Sequence, residues 1–131
     1  MEKIEFWKEK SSRVVDPYLF SRKADAFAKQ VFDEGGERKN KPSQLRKFFD
    51  EVSRLNMRAK TKTNDWKTLL PLVHMITAKS AYATGRNLIT LSFHNFIKQS
   101  VDQVETPDDL DIFALFFESF IGFYKAYRPK D

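Results

Sequence analysis

The sequence contains no cysteine, and this absence removes two classes of protein. Neither a disulfide framework nor a thiolate metal site can form without that residue. A chain that does not depend on disulfides fits a reducing compartment, so we expect a cytoplasmic protein. No stretch reaches the roughly 20 apolar residues of a membrane span, and the charged residues 2–8 are unlike the apolar core of a signal peptide. No membrane partner is therefore expected.

Glycine and proline are also scarce, at 4 and 5 of 131 residues. This composition is unlike that of a linker or a low-complexity segment. The length suits one domain with a real core. We therefore predict a single helical domain over residues 1–131, with flexibility allowed for residues 1–15.

The sequence has few residues that could carry catalysis. Its only histidines, His74 and His94, lie in separate predicted helices, and neither has a carboxylate three or four residues away. Ser92 lies two residues before His94, a spacing that does not bring two side chains together on a helix. There is no glycine-rich phosphate loop. The sequence thus predicts no enzyme, no metal site and no cofactor.

Proline, glycine and capping residues act as helix start and stop signals, and they divide the chain into five amphipathic helical stretches. Asp16 and Pro17 mark the first start, and Thr106 and Pro107 mark the last with a capping-box pattern. Pro71 means that the third helix either kinks or begins there. We predict an all-α bundle of about five helices, at residues 17–35, 42–59, 66–85, 87–104 and 107–127.

The fifth predicted helix is rich in phenylalanine on more than one face. Such a helix either lies at the centre of a bundle or is shared with another subunit. The first interpretation is favoured, but the excess of aromatic side chains also fits docking or self-association. The candidate interface residues are Phe116, Phe120 and Phe123.

Charge is unevenly distributed along the chain. Residues 42–104 carry 10 basic and 4 acidic side chains, a net of +6, whereas residues 105–131 carry 3 and 6, a net of −3. A basic segment attracts polyanions such as RNA or DNA. The alternative is a solvated, lysine-rich surface that binds nothing.

The basic side chains fall on two predicted helix faces. Arg46, Arg54 and Arg58 follow a four-residue row on the second helix, with Lys47 beside them. Lys79, Tyr82 and Arg86 share one face of the third helix. Cations beside an accessible tyrosine suit phosphate contacts and base stacking.

An alternative interpretation of these faces is that the basic side chains form ion pairs with acidic side chains of the same helix. Lys47 could pair with Glu51, and Arg46 or Arg54 could pair with Asp50. That would leave Arg58, Lys79 and Arg86 without obvious partners on their own helices.

Three motifs carry a family resemblance. The segments are Ser-Gln-Leu-Arg-Lys-Phe-Phe at 43–49, Lys-Ser-Ala-Tyr-Ala-Thr-Gly-Arg at 79–86 and the aromatic run at 116–125. In order and spacing over residues 42–127, the chain resembles the small subunit of the type III-A CRISPR (Csm) effector complex.

The resemblance implies a non-catalytic protein that stacks as a short filament with copies of itself and binds other effector-complex subunits. Such a subunit flanks the guide RNA (crRNA) and contacts the paired target RNA without reading its sequence. Carried over onto this chain, Arg46, Lys47, Lys79 and Arg86 would contact phosphates. Arg54, Arg58 and Tyr82 complete the predicted RNA-binding set.

Other functions remain open at this point. A helix-turn-helix DNA regulator is disfavoured because no short turn joins two helices in the spacing of that motif. A protein-interaction bundle would depend on the fifth helix rather than on the basic faces. The hypothesis of an enzyme would be supported only if substitution of His74 by alanine abolished an activity.

Overall fold

The computed structural model describes residues 3–61 and 65–131, and within them five α-helices follow a short β-hairpin. The hairpin pairs β1, Trp7–Glu9, antiparallel with β2, Val14–Val15. A π-helical segment, Leu19–Lys23, continues directly into α1, Ala24–Gly35. Then come α2 (Pro42–Thr61), α3 (Trp66–Gly85), α4 (Leu91–Val101) and α5 (Pro107–Tyr127). The predicted all-α bundle is confirmed, and the hairpin is an addition that the sequence pattern did not indicate.

Helix α5 lies at the centre of the fold. It packs against α1, against α2 and against the π-helical segment, while α3 packs on α4 and α2. The predicted capping box starts it: Thr106 Oγ1 accepts from the Asp109 N–H at 3.2 Å, and Asp109 Oδ2 accepts from the Thr106 N–H at 3.0 Å. No helix of the described residues is both long and apolar enough to cross a membrane.

The aromatic side chains of α4 and α5 form the middle of the core. Phe96 and Phe120 stack with ring centroids 4.5 Å apart, and Phe96 also meets Phe116 and Phe117 within 5.3 Å. All four rings are fully buried. Such contacts add to the large apolar area that each phenylalanine removes from water.

The segment before the hairpin is tied to α4 by amide side chains. Gln99 Oε1 accepts from the Ile4 N–H and Gln103 Oε1 accepts from the Phe6 N–H, both at 2.8 Å. Gln103 Nε2 donates in turn to the Ile4 carbonyl. Ile4 and Phe6 are both buried, and the Phe6 ring packs against rings of α5.

The first helical stretch begins later than predicted. Helical geometry starts at Leu19 rather than Pro17, although Asp16 still receives the Tyr18 N–H at 2.9 Å. The Asp16 carboxylate also pairs with Lys23 at 2.7 Å, and this hydrogen bond holds the pKa of Asp16 below its usual value. The side chain therefore acts in a turn before the helix rather than as the cap of its first turn.

The ambiguity at Pro71 is resolved by one continuous helix. α3 begins at Trp66 and runs through Pro71 to Gly85. Pro71 lies in the second turn, where it cannot donate the helical hydrogen bond to the carbonyl of Lys67, an exposed residue.

Helix α4 is shorter than predicted at both ends. It spans Leu91–Val101 rather than residues 87–104. Asn87 takes a left-handed conformation with φ of 62°, which asparagine tolerates better than most residues, and Thr90 is extended. The β-branched residues before Leu91 therefore belong to a turn between α3 and α4.

Two polar side chains anchor the loop of residues 36–41 between α1 and α2. Asn40, fully buried at φ of 56°, donates from Nδ2 to the Val31 carbonyl and accepts at Oδ1 from the Thr90 N–H, at 3.0 and 2.9 Å. Arg128 donates to the carbonyls of Gly36, Glu37 and Lys39 at 2.7–3.1 Å. The loop is thereby fixed to α1, to the α3–α4 turn and to the residue that follows α5.

Candidate nucleic-acid interface

The seam between α2 and α3 brings together cations from both predicted faces. Glu51 Oε1 accepts from Arg54 at 2.9 Å and from Lys79 at 3.3 Å, so one carboxylate joins the two helices. Lys47 and Lys79 line the same shallow depression, which has Ile76 and Phe48 at its base. The structure therefore unites Lys47, Arg54 and Lys79 in one solvent-facing cluster.

Glu51 remains a carboxylate within this cluster. Partial burial alone would raise the pKa of Glu51, but the hydrogen bond from Arg54 and the charge of Lys79 outweigh it and lower the pKa below its usual value. The seam thus contains three cations and one anion, with a net positive charge.

Along α3 the cluster continues to Tyr82 and Arg86. Tyr82 is 67% exposed, and the Arg86 guanidinium lies 5.7 Å from the centre of its ring. Arg86 also donates to the Tyr82 hydroxyl at 3.3 Å. Among residues 3–61 and 65–131, no carboxylate forms an ion pair with Arg86. Its charge and the tyrosine face are both available to a ligand.

The predicted arginine row of α2 does not form one face. Because an α-helix has 3.6 residues per turn, a row of every fourth residue drifts by about 40° per step. Arg46 therefore lies on the α5 side, where it pairs with Asp50 at 3.3 Å and lies over the Phe49 ring at 5.6 Å. It borders a pocket there that is also lined by Lys125 of α5. Arg46 is thus separated from the α2–α3 seam.

Two cations expected to lack partners have them. Arg58 pairs with Asp65 at 2.7 Å, across the α2–α3 junction. Lys79 pairs with Glu51 on the neighbouring helix. Pairing within one helix could not reveal these contacts, since both depend on how α2 and α3 pack. Arg54 also pairs with Glu51 rather than with Asp50.

The interface candidates on α5 divide differently from the prediction. Phe116 and Phe120 have no exposed surface, so the expectation that they face a partner is corrected: their rings fill the core against α4. Phe123 is half-buried and packs on the edge of that core. Of the three, only Phe123 keeps a surface that another chain could contact.

The histidines do not form a reactive site. His94 Nδ1 lies 2.7 Å from Oγ of Ser80, a fully buried residue on α3. The serine that contacts His94 is therefore Ser80 and not Ser92. The Ser80 hydroxyl donates its one proton to the Thr77 carbonyl at 2.8 Å, so its oxygen accepts from His94. A nucleophilic serine needs the opposite direction of transfer.

Burial and the nearby Lys98 both lower the pKa of His94, which fits a neutral, structural imidazole. His74 is exposed. In the described part of the chain, no group of three or more histidine or acidic side chains is arranged to hold a metal ion.

A family model described as Csm2 Type III-A matches residues 16–130. The chain belongs to this family. A search of curated proteins and a search of solved structures each return no match.

Csm2 is the small subunit of the type III-A CRISPR effector complex, so this chain is such a subunit and has the other Csm subunits as partners. The resemblance inferred from the three motifs is confirmed. The matched range includes all five α-helices and begins just after β2, so the hairpin lies outside it.

Sequence reasoning missed two features of this subunit. The first is Glu51, which was expected to pair with Lys47 but pairs with Arg54 on α2 and also with Lys79 on α3. The second is the set of contacts that Arg128 makes with loop carbonyls, because a single arginine near the chain end has no distinguishing pattern. Each depends on contacts between residues that are at least 28 positions apart in the sequence.

Proposed function

We propose that this small subunit is a non-catalytic, cytoplasmic protein that contacts crRNA and target RNA through their phosphates and stacks with copies of itself. The observation that carries the RNA part is the cluster of Lys47, Lys79, Tyr82 and Arg86 on two adjacent helices. Lys47 and Arg86 have no ion-pair partner in the described residues, and Tyr82 is 67% exposed. An unpaired cation can bind a phosphate without first breaking an internal contact.

The remaining predicted RNA-binding residues contribute less in this proposal. Arg46, Arg54 and Arg58 each have a carboxylate partner, at 3.3, 2.9 and 2.7 Å. Binding a phosphate would require exchange of that partner, which reduces the net gain. Exposed ion pairs are themselves worth only about 0–1 kcal/mol, so the exchange is still feasible.

Contacts of this kind are indifferent to RNA sequence. Lysine and arginine side chains on a helix surface recognise the regular spacing of phosphates, and one tyrosine stacks on any base. Sequence recognition would then come from base pairing between guide and target. The positive surface would serve to hold the strand or duplex along the complex.

The non-catalytic part of the proposal is supported by membership of the Csm2 family and by the buried Ser80–His94 pair. Cleavage would belong to other subunits. The stacking part rests on family membership, with Phe123 as the candidate contact on α5.

Stacking can be tested by native mass spectrometry of effector complexes that contain either the wild type or Phe123→Ala. We expect fewer copies of the small subunit per complex in the variant, because a half-buried ring contributes apolar contact area. An unchanged copy number would remove Phe123 from the proposed interface.

RNA binding can be tested by fluorescence anisotropy of a labelled single-stranded RNA at several salt concentrations. The variant Lys47→Ala, Lys79→Ala, Arg86→Ala removes the unpaired and weakly paired cations of the cluster. We expect it to bind at least about tenfold more weakly and to show a smaller dependence of log K on log salt, because fewer counterions are released.

A matched control removes the same charge elsewhere. Lys3→Ala, Lys8→Ala, Arg22→Ala also deletes two lysines and one arginine, all exposed and all before α1. It should retain nearly wild-type affinity. Equal losses in both variants would mean a general charge effect and would contradict the proposed site.

A further inference from the structure

The loop between α1 and α2 carries cations that the internal ion pairs leave unused. Within residues 36–41, Arg38, Lys39 and Lys41 form no salt bridge with any described residue, although Lys41 exerts a longer-range effect on Asp131. By contrast, Arg46, Arg54, Arg58 and Lys79 are all paired. Unpaired positive charge is thus concentrated in the loop rather than along the predicted arginine row.

The backbone places this loop between the two free cations of the helical cluster. The Asn40 N–H donates to the Leu88 carbonyl at 3.0 Å, which sets the loop against the turn two residues beyond Arg86. On the other side, Lys41 directly precedes α2, and its carbonyl accepts from the Leu45 N–H at 3.1 Å. Lys47 follows in the second turn of that helix. The loop therefore joins the end of α3 to the start of α2.

The loop is also held in one conformation before any ligand arrives. Arg128 binds the carbonyls of Gly36, Glu37 and Lys39, and buried Asn40 is fixed by Val31 and Thr90. These carbonyl oxygens, which would repel a phosphate, are directed toward the Arg128 guanidinium. A preformed loop also loses less conformational entropy on binding.

We infer that the α1–α2 loop is a second phosphate-binding element, which extends the Lys47–Arg86 surface around the end of the bundle along an RNA backbone. The inference rests on the proposed function, because it assigns further contacts to the same ligand. Arg38 and Lys41 are exposed and Lys39 is half-buried, so all three have surface that can reach solvent. Glu37 is the one carboxylate of residues 37–41, which leaves that segment with a net charge of +2.

The test measures binding of labelled single-stranded RNA by the loop variant Arg38→Ala, Lys39→Ala, Lys41→Ala. The cluster variant and the control variant defined above are measured alongside it. All three remove two lysines and one arginine. We expect the loop variant to lose about tenfold in affinity and to lower the slope of log K against log salt by about 2, since each phosphate contact contributes roughly 0.7 on a single strand.

Three outcomes separate the inference from the proposed function. If the cluster variant loses binding and the loop variant matches the control, the loop is not a contact and the proposed function stands. If the loop variant alone loses binding, the helical cluster does not carry the function, and the inference that the loop extends this cluster is overturned with it. Wild-type protein that fails to bind RNA even at low salt would overturn both.

Folding is monitored in the same samples by thermal melting. If the half-buried Lys39 makes the loop variant melt early, the double variant Arg38→Ala, Lys41→Ala is used instead, because both of its side chains are exposed. It should lower the salt slope by about 1.4. An unchanged slope would overturn the inference.

Discussion

The α4–α5 side of the bundle and the α2–α3 side differ in their side chains: the first is rich in buried aromatic rings and the second in exposed basic residues. Phe93, Phe96, Phe117 and Phe120 pack in the first with no exposed surface. The second presents charge: residues 42–86, which include α2 and α3, carry 9 basic and 3 acidic side chains, a net of +6, whereas residues 87–131, which include α4 and α5, carry 4 and 7, a net of −3. The aromatic side supplies buried apolar area, whereas the basic side is the proposed contact for RNA. Substitutions on the two sides should therefore have separable effects.

The largest expected effect comes from the aromatic side. Phe120→Ala removes a ring that stacks on Phe96 at 4.5 Å and on Tyr124 at 5.8 Å. The resulting cavity should lower the free energy of unfolding by about 3–5 kcal/mol. Chemical denaturation measures it. A loss below about 1 kcal/mol would mean that the ring is not part of a close-packed core.

A smaller loss of stability is expected at the boundary between the two sides. Asn40→Ala would leave the Val31 carbonyl and the Thr90 N–H without their partners, and it places alanine at φ of 56°. We expect a loss of about 1–3 kcal/mol in unfolding free energy.

The companion substitution Asn40→Gly separates the two causes at this position. Glycine accepts the positive φ but restores neither hydrogen bond. If the hydrogen bonds dominate, glycine should destabilise nearly as much as alanine. A fully stable Asn40→Gly protein would assign the cost to backbone strain instead.

The basic side should respond to Glu51→Gln with a gain of binding. This change removes the anion that Arg54 and Lys79 share, so both cations become more available to phosphate. We expect a few-fold increase in RNA affinity at low salt and a loss of unfolding free energy under about 1 kcal/mol. Fluorescence anisotropy measures the RNA affinity, and chemical denaturation of the same protein measures the unfolding free energy. Weaker RNA binding would contradict the seam as a phosphate site.

The same carboxylate gives a small pH effect of defined sign. The pKa of Glu51 is lowered in the folded protein from an ordinary value of 4.5, so its stabilising contribution is present above that value. The contribution is lost as pH falls through the lower folded pKa. Asp16 and Asp111 are shifted in the same direction. The difference in stability between wild type and Glu51→Gln should therefore shrink as pH falls below about 4.5.

The sequence predicted local features well and contacts between helices poorly. Helical periodicity, the capping box at Thr106 and the central place of α5 all follow from residues close together in the chain. The ion pairs Arg58–Asp65 and Lys79–Glu51 depend on which sides of α2 and α3 meet, and no spacing rule reveals that. The hairpin was missed because two strands of three and two residues carry almost no periodic signal.

Phe116 and Phe120 illustrate the same limit for aromatic residues. A helix apolar around most of its circumference is compatible with burial inside one chain or between chains. Only packing against α4 decides, and it buries both rings within this chain. The half-buried Phe123 shows that neighbouring residues of one motif can have different environments.

The most direct measurement of the central claim places the Lys47→Ala, Lys79→Ala, Arg86→Ala variant in the assembled type III-A effector complex. Binding of target RNA is then compared with that of the wild-type complex at near-physiological salt. The account predicts normal assembly, because these side chains are exposed, together with weaker and less salt-dependent target binding. A complex that assembles normally and binds target RNA with unchanged affinity and salt dependence would contradict it.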